Sequence, residues 1–414
     1  GVQAVPDGNT ATVTLPAPGA YTVEADGYHQ ALHVFFDPIR DFPAVAQGKA
    51  HILSFGPGVH EIGCMDLESD TAVLIDRDAY LYGSFRAVCA ENIDILGYGV
   101  IDGSREVRTD ESRLLLNDYT APLPADRENI LRRLKQRHVL DGILRFYRCR
   151  HIRVEGPTLR DAATFAVIPA GCEDVTLENL KTIGMWRYNA DGIDLFNCRD
   201  VRIRNCFLRN FDDCVVIKGI VGWDTADNAD ILVEGCVVWC DWGRNLELGA
   251  ETNAPAFWNI LFRNCDCIHG STAFLDIQHH NRADIGQVTF EDIRVEYTKH
   301  QLPDVFQNDM DAPYPTDTPV RHPLLFCLPI YRSGLFAEDG LNGQIHDITF
   351  RNIRILTDAP EVPVPESAFL GLDAEHTVER ICIAGVTCNG KRLATREELR
   401  LHINEFVRDV TILP

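Results

Sequence analysis

Apolar and polar residues alternate in short runs along most of this chain, and the runs share one form. Polar and apolar positions alternate for about five residues, a turn residue such as Asn or Gly follows, and a second short apolar stretch begins. Asn92-Ile-Asp-Ile-Leu-Gly, His151-Ile-Arg-Val-Glu-Gly and Asp174-Val-Thr-Leu-Glu-Asn are three copies. Others begin at Asp200, Asp230, Asn259, Gln287, Asp347 and Arg380. From His151 to Gln287 the starts are 23, 26, 30, 29 and 28 residues apart. Each copy reads as a strand with one buried face, closed by Asn or Gly in a tight turn or a left-handed backbone position. A unit of ~25 residues cannot bury that face alone, but stacked copies can. The pattern therefore predicts an all-β chain built on a right-handed parallel β-helix. The Leu-x-x-Leu-x-Leu frame of leucine-rich repeats is absent.

Three stretches break the pattern. Residues 1–47 hold short alternating runs such as Thr10-Ala-Thr-Val-Thr-Leu between Pro/Gly turns, and predict a small antiparallel β-sandwich. Residues 48–390 form the predicted helix domain, and 391–414 a cap or a tail returning along its outside. Within the helix domain, residues 105–141 carry a helical pattern at Arg127-Glu-Asn-Ile-Leu-Arg-Arg-Leu-Lys, and 298–340 read as a long Pro-containing loop. Both insertions are placed to wall a cleft, or equally to stand as a solvated loop and an end cap.

Composition narrows the function. The 414 residues are 45% hydrophobic and 24% charged, as in a soluble globular protein, with no apolar run of about 18 residues. The start, Gly1-Val-Gln-Ala, has no charged segment leading into an apolar one, so a signal was removed or never existed. A net charge of −22 argues against nucleic acid and anionic membranes as partners, and makes a polyanionic substrate less comfortable. Fourteen cysteines lie in or beside apolar strands, as reduced, buried packing residues would. Disulfides in an exported protein are the alternative. Cys236, Cys240, Cys265 and Cys267 with His279 and His280 do not have the spacing of a tight zinc knuckle.

The candidate chemistry is a set of acids. Asp191 precedes the Asp212–Asp213 pair by 21 and 22 residues, close to one repeat. If one repeat is one turn, three carboxylates share one patch. Such crowding raises the pKa of one carboxyl and leaves a protonated acid beside a carboxylate base. An isolated Asp in a β-solenoid is more often a turn residue than a catalyst. Neighbours on a regular strand point to opposite faces, so Asp212 and Asp213 share a cleft only if the chain bends between them.

Asn189-Ala-Asp-Gly-Ile-Asp194, followed by Asp212-Asp-Cys-Val-Val-Ile-Lys-Gly219, resembles glycoside hydrolase family 28, the polygalacturonases and pectinases. The repeats agree over roughly 85–300, and Phe55-Gly-Pro-Gly-Val-His-Glu-Ile-Gly and Gly97-Tyr-Gly-Val-Ile-Asp-Gly look like the family's entry turns. The resemblance implies an inverting glycoside hydrolase that cleaves a poly- or oligosaccharide and needs no metal or cofactor. It makes Asp212 the acid that protonates the leaving oxygen, with Asp191 and Asp213 holding and deprotonating water. Asp194 would orient the sugar or the acids, Lys218 would tune them, and Asn189 belongs with the substrate-binding set. A small sandwich ahead of the helix, with no catalytic histidine, is also similar to family 49, and family 110 has similar acids. The longer match favours family 28.

Two departures bear on the substrate. Where the family has Gly-His-Gly, this chain reads Trp242-Gly-Arg-Asn245. Where the family's Arg-Ile-Lys binds galacturonate, it reads Asp276-Ile-Gln278. A carboxylate would meet an acid where a basic fork is wanted, so a neutral sugar, or one held differently, is expected rather than plain polygalacturonate. Trp242, Arg244, Glu247, Glu251, Gln278, His279, His280 and Arg282 are the candidates for the altered sugar site, with Glu247 alternatively an acid or base. The alternatives are a polysaccharide lyase or epimerase on the same helix and a non-catalytic carbohydrate-binding solenoid. Sugar, linkage, oligomeric state and endo or exo action stay open.

Overall fold

The computed structural model describes residues 4–24, 31–106, 142–221, 223, 225–298, 321–334, 339–359 and 361–414. The chain winds through three strands per turn. One turn is Arg150–Glu155, Thr158–Arg160 and Phe165–Ala170; the next is Glu173–Glu178, Lys181–Ile183 and Ile193–Phe196. The third is Arg199–Arg204, Phe207–Asn210 and Val215–Gly219. Equivalent strands pair in parallel from turn to turn. The first strands of the turns build a 12-stranded sheet, from His51–Phe55 at one edge to Val407–Leu413 at the other. With the handedness that parallel crossovers adopt, this is a right-handed parallel β-helix.

The alternating phrases are the strands of the 12-stranded sheet. Register places Ile93, Ile152, Val175, Val201, Ile231, Ile260, Val288, Ile348 and Ile381 in one column. All nine are buried. Burying each such side chain contributes ~1.5–3 kcal/mol, which the isolated unit cannot obtain. Every phrase ends in a left-handed residue: Gly97, Gly156, Asn179, Asn205, Gly235, Asn264, Asp292, Asn352 and Gly385. Every phrase also begins with one, including His151, Gln287 and Arg380, which have no local preference for that conformation.

None of the fourteen cysteines forms a disulfide, and ten are buried. Some stack along the helix axis: the Cys149 backbone N–H lies 3.4 Å from Cys172 Sγ, and that of Cys172 3.4 Å from Cys198 Sγ. Among the described residues no group of His, Cys, Asp and Glu is arranged to hold a metal ion, and no helix is long and apolar enough to cross a membrane.

The N-terminal region forms two antiparallel hairpins, Ala4–Asp7 with Thr10–Val13 and Gly19–Val23 with Leu32–Phe36. The second packs Ala20 and Phe35 on Phe207, Trp239 and Ile268 of the helix flank. Ion pairs fasten the chain there: Asp37 with Lys181 at 2.5 Å, Arg40 with Glu155 at 2.8 Å and Glu24 with His269 at 2.8 Å. At the other end, Leu401–Ile403 and Val407–Leu413 add further parallel strands to two sheets. Residues 391–414 thus supply the last turn itself; they do not run back along the outside. The helical pattern at 127–135 and most of the two insertions, at 107–141, 299–320 and 335–338, lie outside the described residues.

Candidate active site

The acids sit at one corner of the coil, where the chain passes from the short middle strand of a turn into the third. Asp191 precedes the strand Ile193–Phe196, and Asp212–Asp213 lie between Phe207–Asn210 and Val215–Gly219. The 21- and 22-residue intervals are one turn. The Gly192 backbone N–H donates to the Asp213 carbonyl at 2.8 Å, and that of Cys214 to the Arg244 carbonyl at 2.9 Å. Asp191, Asp213 and Arg244 therefore come from successive turns. The pair is outside any strand, so the chain bends there and both side chains can face the same way.

Gly243, on the following turn, shows that they do. A Cβ built on it would lie 2.4 Å from Asp212 Oδ1, 2.4 Å from Asp213 Oδ1 and 2.7 Å from the Asp213 backbone nitrogen. The two carboxylate oxygens are thus less than twice 2.4 Å apart. Gly192, between Asp191 and Ile193, is constrained likewise: its Cβ would lie 2.3 Å from the Cys214 carbonyl oxygen. Gly243→Ala should displace both acids. A shift of about 1 Å costs on the order of 10²-fold in rate, and overpacking ~1–3 kcal/mol. Steady-state rates and urea unfolding read the two effects, and unchanged rates would show that the acids tolerate the displacement.

Burial and crowding set the protonation pattern. Asp191, Asp194, Asp212, Asp213 and Lys218 are all buried. Burial pushes Asp191 up to about 6, with Lys218 opposing and Asp213 adding to the rise. Burial, then Asp213 and Asp191, hold Asp212 well above the usual carboxylate range. Asp194 is also raised, by burial and then Asp191. Lys218 Nζ bridges Asp194 Oδ2 at 2.8 Å and Asp191 Oδ2 at 3.0 Å. Burial alone would lower its pKa, but Asp191, Asp194 and Glu251 outweigh it, so the lysine stays charged. Asp191 Oδ1 is buried with no partner among the described residues, as suits an atom that accepts a proton from water.

The following turn supplies a second cluster. The Arg244 backbone N–H donates to Asp213 Oδ1 at 2.9 Å, and its Nη1 is 3.8 Å from the same oxygen. Arg244 Nε lies 3.4 Å from Asp276 Oδ2 and 3.9 Å from Glu247 Oε1. With the Gln278 amide oriented to suit its neighbours, its oxygen accepts from Nε at 3.1 Å. Asp276 and Gln278 therefore do not leave the region without a cation; Arg244 reaches them from the turn before. Glu247 is in register with Asp276, and neither carboxylate oxygen has a hydrogen-bond partner among the described residues. Burial, then Asp213, raises Glu247 well above the carboxylate range. Asp276 is pushed up to about 6 by burial, with Arg244 opposing.

The other candidates divide. Trp242 is half-buried, stacked on Phe211 at 5.8 Å, tilted against Tyr188 at 5.5 Å and covered by the Arg321 guanidinium at 5.5 Å. His280 is half-buried and stacks on the exposed ring of Tyr331 at 4.4 Å. Asn189 takes a left-handed conformation two residues before Asp191, and Arg282 is half-buried beyond the histidines. Glu251 is buried and acts on Lys218 through its charge. His279 departs from expectation: it has no exposed surface, its Nδ1 lies 2.8 Å from Thr252 Oγ1, and burial lowers it to about 3. It is a packing residue rather than a sugar contact: it lies past the strand Ala273–Ile277, in an isolated bridge with Ile330, with its ring buried.

Sequence reading missed Phe165 and Phe196, whose rings lie 4.7 and 5.9 Å from Lys218 Nζ, and Tyr188 and Arg321 beside Trp242. Phe196 was within reach: it lies two residues after Asp194 on one strand, hence on the same face.

Residues 79–308 match the model of a family described as glycosyl hydrolases family 28. A search of curated proteins found no match. Among solved structures, an exopolygalacturonase from Thermotoga maritima is similar with a TM-score of 0.59 at 16% identity, covering 89% of this chain and 86% of that one. Dex49A from Penicillium minioluteum gives 0.60 at 13% identity, covering 98% and 70%. A tailspike protein of E. coli bacteriophage HK620, in complex with a pentasaccharide, gives 0.51 at 12% identity, covering 87% and 58%. At these identities the likeness is one of fold.

Proposed function

The chain belongs to family 28 of the glycosyl hydrolases, and from that premise we propose which residues run its reaction and what it takes as substrate. It is a glycoside hydrolase acting on a poly- or oligosaccharide, with the inverting chemistry of its family. Asp212 protonates the glycosidic oxygen as the bond to the anomeric carbon breaks. Asp191 and Asp213 hold the attacking water and take its proton as the new bond forms. The observation that carries this reading is the convergence of the three carboxyls at one corner, with Asp212 and Asp213 both turned on Gly243. Asp212 is the member of that pair that burial and its two acidic neighbours favour in protonated form.

The sugar at the cleavage site is neutral. Asp276 and Gln278 stand where the family carries a basic pair, and the guanidinium beside them is already engaged by Asp276, Gln278 and Asp213. A uronate carboxylate would have to displace one of those partners and lie near buried Glu247. The exposed ring of Tyr331, stacked on His280, offers an apolar face for sugar.

The test is a panel of neutral and uronic-acid glycans read by reducing ends, with proton NMR of the first-formed anomer. Release of inverted product from a neutral glycan is expected. A faster rate on polygalacturonate would overturn the substrate assignment. A retained anomer, or a 4,5-unsaturated product, would overturn the mechanism.

A further inference from the structure

We infer that Arg244 is a positioning residue: it fixes Asp213 as the charged member of the Asp212–Asp213 pair, and Asp276 and Gln278 serve to hold Arg244 rather than to touch sugar. The inference rests on the reading of Asp212 as the acid and extends it to what sets the two aspartates apart.

Two neighbouring carboxyls of the same type, buried at one corner, need an asymmetry before one can be the acid and the other a base. The asymmetry here is Arg244. Asp213 Oδ1 accepts its backbone N–H at 2.9 Å and lies 3.8 Å from its guanidinium. Arg244 acts on Asp212 only through its charge, and burial, Asp213 and Asp191 outweigh it there. A hydrogen-bond donor and a positive charge on one member of a pair stabilise that member's charged form and leave the shared proton on the other.

A flexible arginine would do this poorly, and Arg244 is braced. Its Nε is 3.4 Å from Asp276 and 3.1 Å from the Gln278 oxygen, both on the next turn. The pairing of Arg244 with Ala273, and of Glu247 with Asp276, fixes the register of the two strands. Asp213, Arg244 and Asp276 form one line across three successive turns. A guanidinium so enclosed, beside a third carboxyl at Glu247, has little left to offer an incoming anion. The replacement of a histidine by Arg244 and of two cations by Asp276 and Gln278 is therefore one coupled change.

Asp213 is faced by Asp191 and Asp194 from the preceding turn, Asp212 beside it, Cys240, Arg244 and Glu247 from the following turn, Asp276 beyond them, and Lys218 from the strand that follows it. Of the two cations, only Arg244 contacts Asp213. The experiment compares Arg244→Gln, Arg244→Lys and Asp276→Asn on whichever neutral glycan is turned over. Arg244→Gln should lower kcat at least ~30-fold with KM within ~3-fold, and move the acidic limb of the pH–rate profile to higher pH. Arg244→Lys, which keeps charge but cannot be held as a planar fork, should recover part of kcat. Asp276→Asn, which loosens the brace but leaves the Arg244 charge in place, should cost ~3–10-fold in kcat. A rise in KM of tenfold or more in Arg244→Gln, with kcat and the limb unchanged, would make Arg244 a sugar ligand and overturn the inference.

A second arm needs no substrate. In protein labelled with 13C at aspartate carboxyls, the titration of the coupled pair at 212 and 213 should move to higher pH in Arg244→Gln than in the parent. An identical titration would overturn the inference even if the enzyme is active. If no glycan is hydrolysed, the reading of function fails while this arm still decides the role of Arg244. Should Arg244→Gln not fold, Arg244→Lys gives the same comparison with a smaller displacement.

Discussion

Asp212→Asn should lose about 10³-fold or more in kcat on a natural glycan while keeping its fold. General acid catalysis contributes ~10²–10⁴-fold, and a sugar alkoxide is a poor leaving group without a proton. The substitution is nearly isosteric, and it removes the carboxyl that Asp213 and Asp191 crowd. Its urea midpoint should therefore equal or exceed that of the parent. An aryl glycoside with an acidic phenol needs less protonation and should lose far less, which separates loss of the acid from loss of the fold. Retention of more than a tenth of the parent kcat on glycan would remove Asp212 from the role. The parent's pH profile follows from the same pair of roles. Activity rises with pH as Asp191 ionises near about 6. It falls again at higher pH as Asp212, held up by burial and by Asp213 and Asp191, gives up its proton. The two limbs belong to the coupled cluster rather than to single residues.

Lys218→Met should be the most destabilising single change at the site. Lys218 Nζ is the shared partner of Asp191 and Asp194, and it lies 4.7 Å from the Phe165 ring centroid. Removing one side of a buried ion pair costs ~3–5 kcal/mol because the other charge stays behind. Methionine fills the volume but not the charge, so both acids must then be buried neutral. Carboxyls whose folded pKa lies above the unfolded value give stability that is lost as pH rises through the folded pKa. The deficit of the variant should therefore widen from pH 5 to pH 8. Urea unfolding at the two pH values measures it, and a midpoint equal to the parent's at pH 8 would mean that Lys218 carries no such burden.

Much of the fold was readable because one physical demand repeats. Each phrase needed an inward apolar pair and an outgoing turn, and the nine turn residues all take left-handed backbones. The left-handed residue at the start of each phrase was not readable. His151, Gln287 and Arg380 adopt it because their rung stacks on neighbours that do, and tertiary register overrides local preference. At the site, the interval between Asp191 and the pair was legible because it is a chain length. The bend that lets Asp212 and Asp213 face one way was legible only as a condition. The bracing of Arg244 was not legible. Arg244 and Asp276 are far apart in sequence, and only the pairing of their strands brings guanidinium and carboxylate together.

The winding of the chain has a consequence for inheritance. Each turn is one uninterrupted stretch of sequence, so a short exchange replaces one layer and leaves the others in place. The layers at 191 and 212–213 hold the acids, and those at 244 and 276–278 hold Arg244 and its brace. A lineage that rewrites the later pair of layers also reaches the acids, because Arg244 contacts Asp213. Arg244 leans on Asp276 as well, so neither of those two layers can drift alone. Among descendants, positions 244 and 276 should change together or not at all.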